Sequence, residues 1–317
     1  MGNDELKSIS NLHAEEPNRV VDSQSTVNAL NSAYRIPYFT ILWTFARNSL
    51  VRDLSFRTNF ILEAISSLAW TLMNLAFFKI IFLNASSIGR GTGWGEYEFY
   101  IFLGTVWIIN SIVQTVFMPN AQEFSELIRT GHLDFALLKP INTQFLISFP
   151  KFNWSSLVNA FAGIVLVNYS LIRLSSLAER PLELSIWSVP IYILFLCCGI
   201  GILYSIILSM ASLSVWFGRN QNIYLVYFYL TQFYRYPSEI YQRGVWGYGL
   251  WAVFSFAIPI LLVANVPARF LARPLRPEWT SSEFYMIGFT LIATVASLFA
   301  SRWVFNRSLL SYRSASS

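Results

Sequence analysis

From Tyr34 onward the chain alternates long apolar runs with short charged interruptions, and seven of the runs approach membrane length. Asn59–Phe78 holds one charge, Glu63, while Phe99–Met118 and Phe152–Ile172 hold none. Leu184–Gly218 is uncharged for 35 residues, roughly 50 Å as a helix against a hydrocarbon core of about 30 Å. Such a helix must tilt, bend or project into water, and Pro190, Gly199 and Gly201 are its candidate bending points. Asn220–Tyr234 is short, 15 residues between Arg219 and Arg235. Gly244–Ala268 is longer but carries Pro259 and Pro267, and Phe284–Ser301 closes the series ahead of Arg302, Arg307 and Arg313. The pattern predicts an all-α integral membrane protein.

Two further segments have the helical period without the length or purity of a span. In the first, Phe39, Trp43, Ala46, Leu50 and Leu54 recur at helical spacing, with Arg47, Arg52, Asp53 and Arg57 interleaved. A basic amphipathic helix with aromatic residues on one side fits the plane of the headgroups. The second lies in Pro119–Pro140, between two uncharged runs. There Phe124, Leu127, Ile128 and Gly131 follow the spacing of one helical face, and Glu123, Glu126 and Arg129 lie off it. Gly131 suits a helix C-cap, because glycine reaches the left-handed region without a Cβ penalty. Three uses fit such a helix: resting on headgroups, packing on its own protein, or docking into a partner. Residues 1–33, rich in Asn, Ser and Glu and without periodicity, are expected to form a disordered cytoplasmic tail, leaving 34–317 as the membrane domain.

Arginines flank the start of the first run and the end of the last, which favours both termini in the cytoplasm and hence an even number of crossings. One of the seven runs then does not span. Hydropathy alone would sacrifice Asn220–Tyr234. In the alternative, Asn220–Tyr234 crosses with Arg219 and Arg235 snorkelling at its ends, and the proline-broken Gly244–Ala268 dips in and returns. Either way the outer face carries Arg269, Arg273 and Arg276.

Composition agrees with the pattern: 55% of the 317 residues are hydrophobic and only 12% charged, with a mean hydropathy of +0.47. Soluble domains carry about twice that charged fraction. The formal charge of +5 rests on arginines near membrane ends and reports orientation, so no nucleic-acid partner is expected. The polar, acidic start resembles no cleavable signal peptide. Cys197 and Cys198 are adjacent in an apolar run and diverge on a helix, which makes them poor disulfide partners. Two distant histidines, His13 and His132, suggest no metal site. No glycine-rich phosphate loop precedes any of the four lysines, so no bound cofactor and no ATP hydrolysis by that route are expected. Glu63 is the one carboxylate inside a run and therefore the intramembrane polar candidate, set against a snorkelling or serine-bonded structural role.

The stretch EFSELIRTGHLDFALLKPINTQF, Glu123–Phe145, resembles the signature of permease subunits of the ABC-2 superfamily, in particular paired bacterial permeases of ABC export systems. Gly131, Leu133, Asp134, Leu137, Leu138, Lys139 and Pro140 occupy the signature's glycine, Leu-Asp, leucine-pair, basic and proline places. YPSEIYQRG (Tyr236–Gly244) and IPILLVANVPARFL (Ile258–Leu271) are similar to the family's tyrosine-proline turn and the external hairpin before its last span. RDLSFRTNF, Arg52–Phe60, is similar to its approach to the first span. The resemblance runs in order from about Tyr34 to Tyr312; the polar tail departs from the family's usual short start.

The resemblance implies six transmembrane helices with both termini cytoplasmic, an N-terminal interfacial helix, a cytoplasmic coupling helix between spans 2 and 3, and a re-entrant external hairpin before span 6. It favours Asn220–Tyr234 as the crossing and Gly244–Ala268 as the hairpin. It further implies a bacterial-type inner membrane, separate ABC ATPase subunits that bind ATP and Mg, and a second copy or related permease completing a dimer. In that arrangement Phe124, Leu127 and Ile128 supply apolar docking contacts to the ATPase, Glu123, Glu126 and Arg129 set charge complementarity, and Asp134 and Lys139 order the turn that follows. The other reading of the residues is a multispan scaffold or assembly protein whose amphipathic insert rests on membrane lipids.

Overall fold

The computed structural model describes residues 37–88, 93–176, 186–217, 223–272 and 281–312, and these are helical with no strand among them. The predicted tail 1–33 and Arg219, Arg273, Arg276 and Arg313 lie outside the described residues. In order, the helices are α1 (Tyr38–Ser55), α2 (Arg57–Asn84), α3 (Glu96–Val116), α4 (Met118–Thr130), α5 (Leu133–Leu137), α6 (Thr143–Ser148), α7 (Leu157–Ser175), α8 (Ser188–Phe217), α9 (Ile223–Gln232), α10 (Gly244–Ala252), α11 (Leu262–Ala272) and α12 (Ser281–Ser311). The chain forms two compact units, Met1–Trp43 and Thr44–Ser317. Of the first, residues 37–43 are described, and they carry the start of α1 with Phe39 and Trp43 exposed.

Five helical stretches are long and apolar enough to cross a membrane: α2, the run of α3 and α4, α7 with the turn before it, α8, and α12. This is a multi-pass membrane protein. A sixth span arises only if α10 and α11, bent by 92° at Ile258–Leu261, count as one. The crossing expected at Asn220–Tyr234 is represented by α9, whose 10 residues reach about 15 Å, half of a hydrocarbon core. At its C-terminal end the helix stops short of the apolar run, because Phe233–Arg235 tightens into a 3-10 turn and Tyr236 is extended ahead of Pro237. Composition set the run's C-terminal end, but proline chemistry set the helix's.

The core is built around α3. Two-thirds of its apolar window is buried inside the chain, against 11% for α2. Packing of α3 on α7 depends on glycine: a Cβ on Gly104 would lie 2.8 Å from the Gly163 carbonyl, and one on Gly163 2.7 Å from that of Gly104. Small residues let backbones approach in this way where apolar burial between helices gives little drive. Gly199, a candidate bending point, is instead such a packing position. It lies within the unbroken 30-residue α8, where a Cβ would meet the Val263 carbonyl of α11 at 2.5 Å.

From Thr44 on, α1 is fastened to the chain just before α7 by polar bonds. Ser49 Oγ accepts from the Phe152 amide, Asp53 from the Trp154 amide, and the Ala46 carbonyl from the Trp154 indole. Arg52 donates to the Phe152 carbonyl and bridges Asp53. One face of α1 thus serves the fold, while Val51 and Leu54 are left exposed.

Candidate functional site

Helix α4 continues α3 with little interruption. Phe117 between them keeps right-handed helical dihedrals, its amide donates to the Val113 carbonyl, and the Ala121 amide donates to the Phe117 carbonyl. Pro119 sits in the first turn of α4, where its missing N–H costs nothing. The run Glu96–Arg129 is 34 residues, about 50 Å, so α4 extends past the thickness that α3 covers. Gly131 ends α4 in the left-handed region at φ 73°, as the sequence led us to expect.

The apolar stripe of α4 faces inward, which corrects the role expected for Phe124. Phe124 is fully buried, its ring 5.9 Å from that of Phe305 on α12, and Leu127 and Ile128 pack partly buried on the same core. Ser125 meets Ser214 of α8 at 3.1 Å. These side chains seat the helix on its own protein, so Phe124 is not a docking contact. Periodicity identifies an apolar face but not what covers it.

The charged residues lie on the outer side. Glu126 and Arg129 are exposed and paired with one another, and Lys151 reaches Glu123 at 2.8 Å. Asn120 pins the base of the helix: its amide nitrogen donates to the Val116 and Lys151 carbonyls, and its oxygen accepts from the Lys151 amide. In the turn after Gly131, burial and the Asp134 carboxylate push the Tyr312 phenol above its ordinary value, which places Asp134 beside the end of α12. Lys139 and Pro140 are exposed, as are Phe135 (67%) and Leu138 (80%). The outer surface of this region therefore includes Glu126, Arg129, Phe135 and Leu138, of which the sequence singled out the first two for docking.

Inside the spans, Glu63 is occupied. Its carboxylate accepts from Asn59 at 2.8 Å and from Ser155 at 2.9 Å. One and two turns further along α2, Ser67 and Thr71 hydrogen-bond to the side-chain amide of Asn159 on α7, at 2.6 and 3.0 Å. Glu63, Ser67 and Thr71 thus form a polar seam between α2 and α7, the serine-bonded structural alternative for Glu63.

The side of Asn159 facing α3 is different. Two adjoining hollows share Trp70, Asn110, Asn159 and Arg235 and form one groove between α2, α3 and α9. The larger holds about 840 Å³ of space, part of it open to the surroundings. Asn74, Asn110 and Gln114 border the groove, and none of these amides has a hydrogen-bond partner among the described residues. Arg235 borders both hollows, 5.8 Å from the Phe228 ring centroid and with no carboxylate in ion-pair range among the described residues. None of these four was singled out from the sequence for chemistry. A signal was present: Trp107, Asn110 and Gln114 fall at i, i+3, i+7, one polar-aromatic face of an otherwise apolar span.

A third polar centre sits where the bent pair begins. Glu239 is held by Arg269 of α11 and by the indole of the fully buried Trp94, which donates at 3.1 Å. Burial alone would raise the Glu239 carboxyl, but the charge and hydrogen bond of Arg269, with Trp94, hold it below the ordinary carboxylate value. Beside it, the buried Asn265 accepts from the Ser238 amide at 2.8 Å and donates to the Leu261 carbonyl at 2.7 Å.

Among the described residues no group of three or more histidine, cysteine or acidic side chains is placed to hold a metal ion. Comparison with curated proteins and with solved structures finds no match. A model of the ABC-2 family transporter proteins matches residues 68–316, which takes in the glycine-packed core, α4 with its turn, and the Glu239–Arg269 centre. With most of its length under that match, the chain belongs to the ABC-2 family of transporter proteins.

Proposed function

We propose that the chain is the permease subunit of an ATP-binding cassette exporter, energised by ATP and Mg bound in separate ATPase subunits. The observation that carries this reading is α4, an extension of a core helix that is anchored inward by Phe124 and turns its charged side out, in a member of a transporter family. A helix held in this way offers a partner a firm, polar surface. Glu126 and Arg129 supply its charge pattern, and Phe135 and Leu138 the apolar contacts that Phe124 does not.

In this reading both termini and α4 are cytoplasmic, in a bacterial-type inner membrane, and α1 lies at the interface before the first span. The α10–α11 pair is a re-entrant hairpin on the external side, and α9 contributes the remaining crossing. A second copy or a related permease completes the pathway. Closure of the ATPases on ATP shifts the pair between inward- and outward-open states through α4.

The test is recovery of the ATPase with the tagged chain in mild detergent. Phe135→Asp with Leu138→Asp is expected to abolish it while leaving membrane insertion and elution profile intact. Undiminished recovery removes the docking surface. Failure of the unaltered chain to bring down any ATPase, across detergents and with ATP analogues, favours the scaffold reading instead.

A further inference from the structure

We infer that the groove between α2, α3 and α9 is a binding site for the headgroup of an anionic amphiphile, with the negative group on Arg235 and hydroxyl or carbonyl groups on Asn74, Asn110 and Gln114. As the substrate site of an exporter this rests on the transporter reading above; as a binding site it does not.

Charge comes first. Among the described residues, Arg235 is the one ionisable side chain other than tyrosine that borders either hollow, and no aspartate or glutamate does. A guanidinium set among membrane helices without a counter-ion is costly, and one oriented by a ring 5.8 Å away presents its donor fork to whatever enters. That planar fork matches a phosphate, sulfate or carboxylate. The seam next door shows what this protein does with polar groups it needs for packing: it pairs them. Asn74, Asn110 and Gln114 share the same surroundings and are unpaired among the described residues. Each brings two donors and an acceptor, a set suited to hydroxyls, carbonyls and the oxygens of an ester.

Geometry then indicates an amphiphile rather than a soluble anion. The groove follows α2 from Ser67 to Phe78, about 16 Å, so a headgroup with more than one polar part fits along it. Its outer wall is Trp70, 59% exposed, and the neighbouring outward side chains Met73 and Phe77 are apolar and exposed at 54% and 56%. An acyl chain leaving the groove past Trp70 meets a surface made for lipid tails.

The experiment is native mass spectrometry of the full chain, purified in a neutral maltoside detergent with whatever partner accompanies it. Phosphatidylglycerol and phosphatidylcholine of identical acyl chains compete for it. The unaltered protein is expected to retain phosphatidylglycerol preferentially, with the preference falling about tenfold in Arg235→Gln. A smaller fall, about threefold, is expected in Asn110→Leu, and none in Arg302→Gln, a control at an exposed arginine of α12. An unchanged preference in Arg235→Gln overturns the site. If that variant does not fold, the Asn110→Leu result decides in its place. Displacement of the lipid by millimolar inorganic phosphate overturns the amphiphile in favour of a soluble anion. Partner recovery is read in the same samples. No lipid preference in the unaltered protein with the ATPase still bound refutes this site alone, and a preference in the unaltered protein without an ATPase leaves the site standing and removes its transport role.

Discussion

Arg235 and Arg269 lie 34 positions apart on one chain and in opposite electrostatic situations. Arg269 closes on Glu239, which the Trp94 indole also holds, and the neighbouring Asn265 is bonded on both sides. Arg235 faces a ring and open space, among amides with no partner in the described chain. Low dielectric makes an unpaired polar group expensive and a paired one durable, so the two arrangements cannot serve the same end. Where polar groups are consumed by one another, they hold helices together. Where they are left over in company, around a hollow, they have been kept for something that comes and goes.

The contrast can be broken most forcibly at the paired arginine. Arg269→Gln strands the Glu239 carboxylate in a mostly buried setting and is expected to destabilise the protein by roughly 3 kcal/mol in detergent unfolding. Asn159→Leu, which deprives Ser67 and Thr71 together, is expected to cost about 1–2 kcal/mol. Arg235→Gln and Asn110→Leu should both stay within about 0.5 kcal/mol of the unaltered protein, their effect appearing in ligand retention. A loss at Arg235 equal to that at Arg269 would erase the distinction. Acid gives the smallest and most specific probe. The folded-state value of Glu239 lies below its unfolded value near 4.5, so its contribution is present above that pH and lost as pH falls through the folded value. The unfolding midpoint should decline across that acid window, and Glu239→Gln should flatten that part of the decline.

How much of this could be read beforehand differs by element. The period of α4 and its glycine cap were visible in one short stretch, because both are local. The covering of its apolar stripe was not, since Phe124 and Phe305 meet from positions 181 residues apart. Family membership was legible from Glu123–Phe145, where the signature is contiguous, and the match over 68–316 bears it out. The C-terminal end of α9 escaped an argument from hydropathy, which sees Phe233 and Tyr234 as span material whether or not the backbone is still α-helical. Glu63 drew notice as the lone intramembrane carboxylate, yet its oxygens are taken. The groove's amides each pass as an ordinary polar residue in a span. Only the folded chain gathers Asn74, Asn110, Gln114 and Arg235 around one hollow.

The near-continuity of α3 and α4 has a mechanical consequence. Phe117 keeps helical dihedrals, and although Pro119 leaves the Thr115 carbonyl to the Asn153 amide, Asn120 pins the junction, so the 34 residues act as one strut rather than two links on a free hinge. Load applied to the end near Arg129 is carried along the axis instead of being absorbed at a joint. Asn110 and Gln114 ride on that strut, while Trp70 and Arg235 belong to other members. An axial stroke of one or two ångströms would slide one wall of the groove past the rest, loosening or tightening its grip without any side chain having to relay the signal.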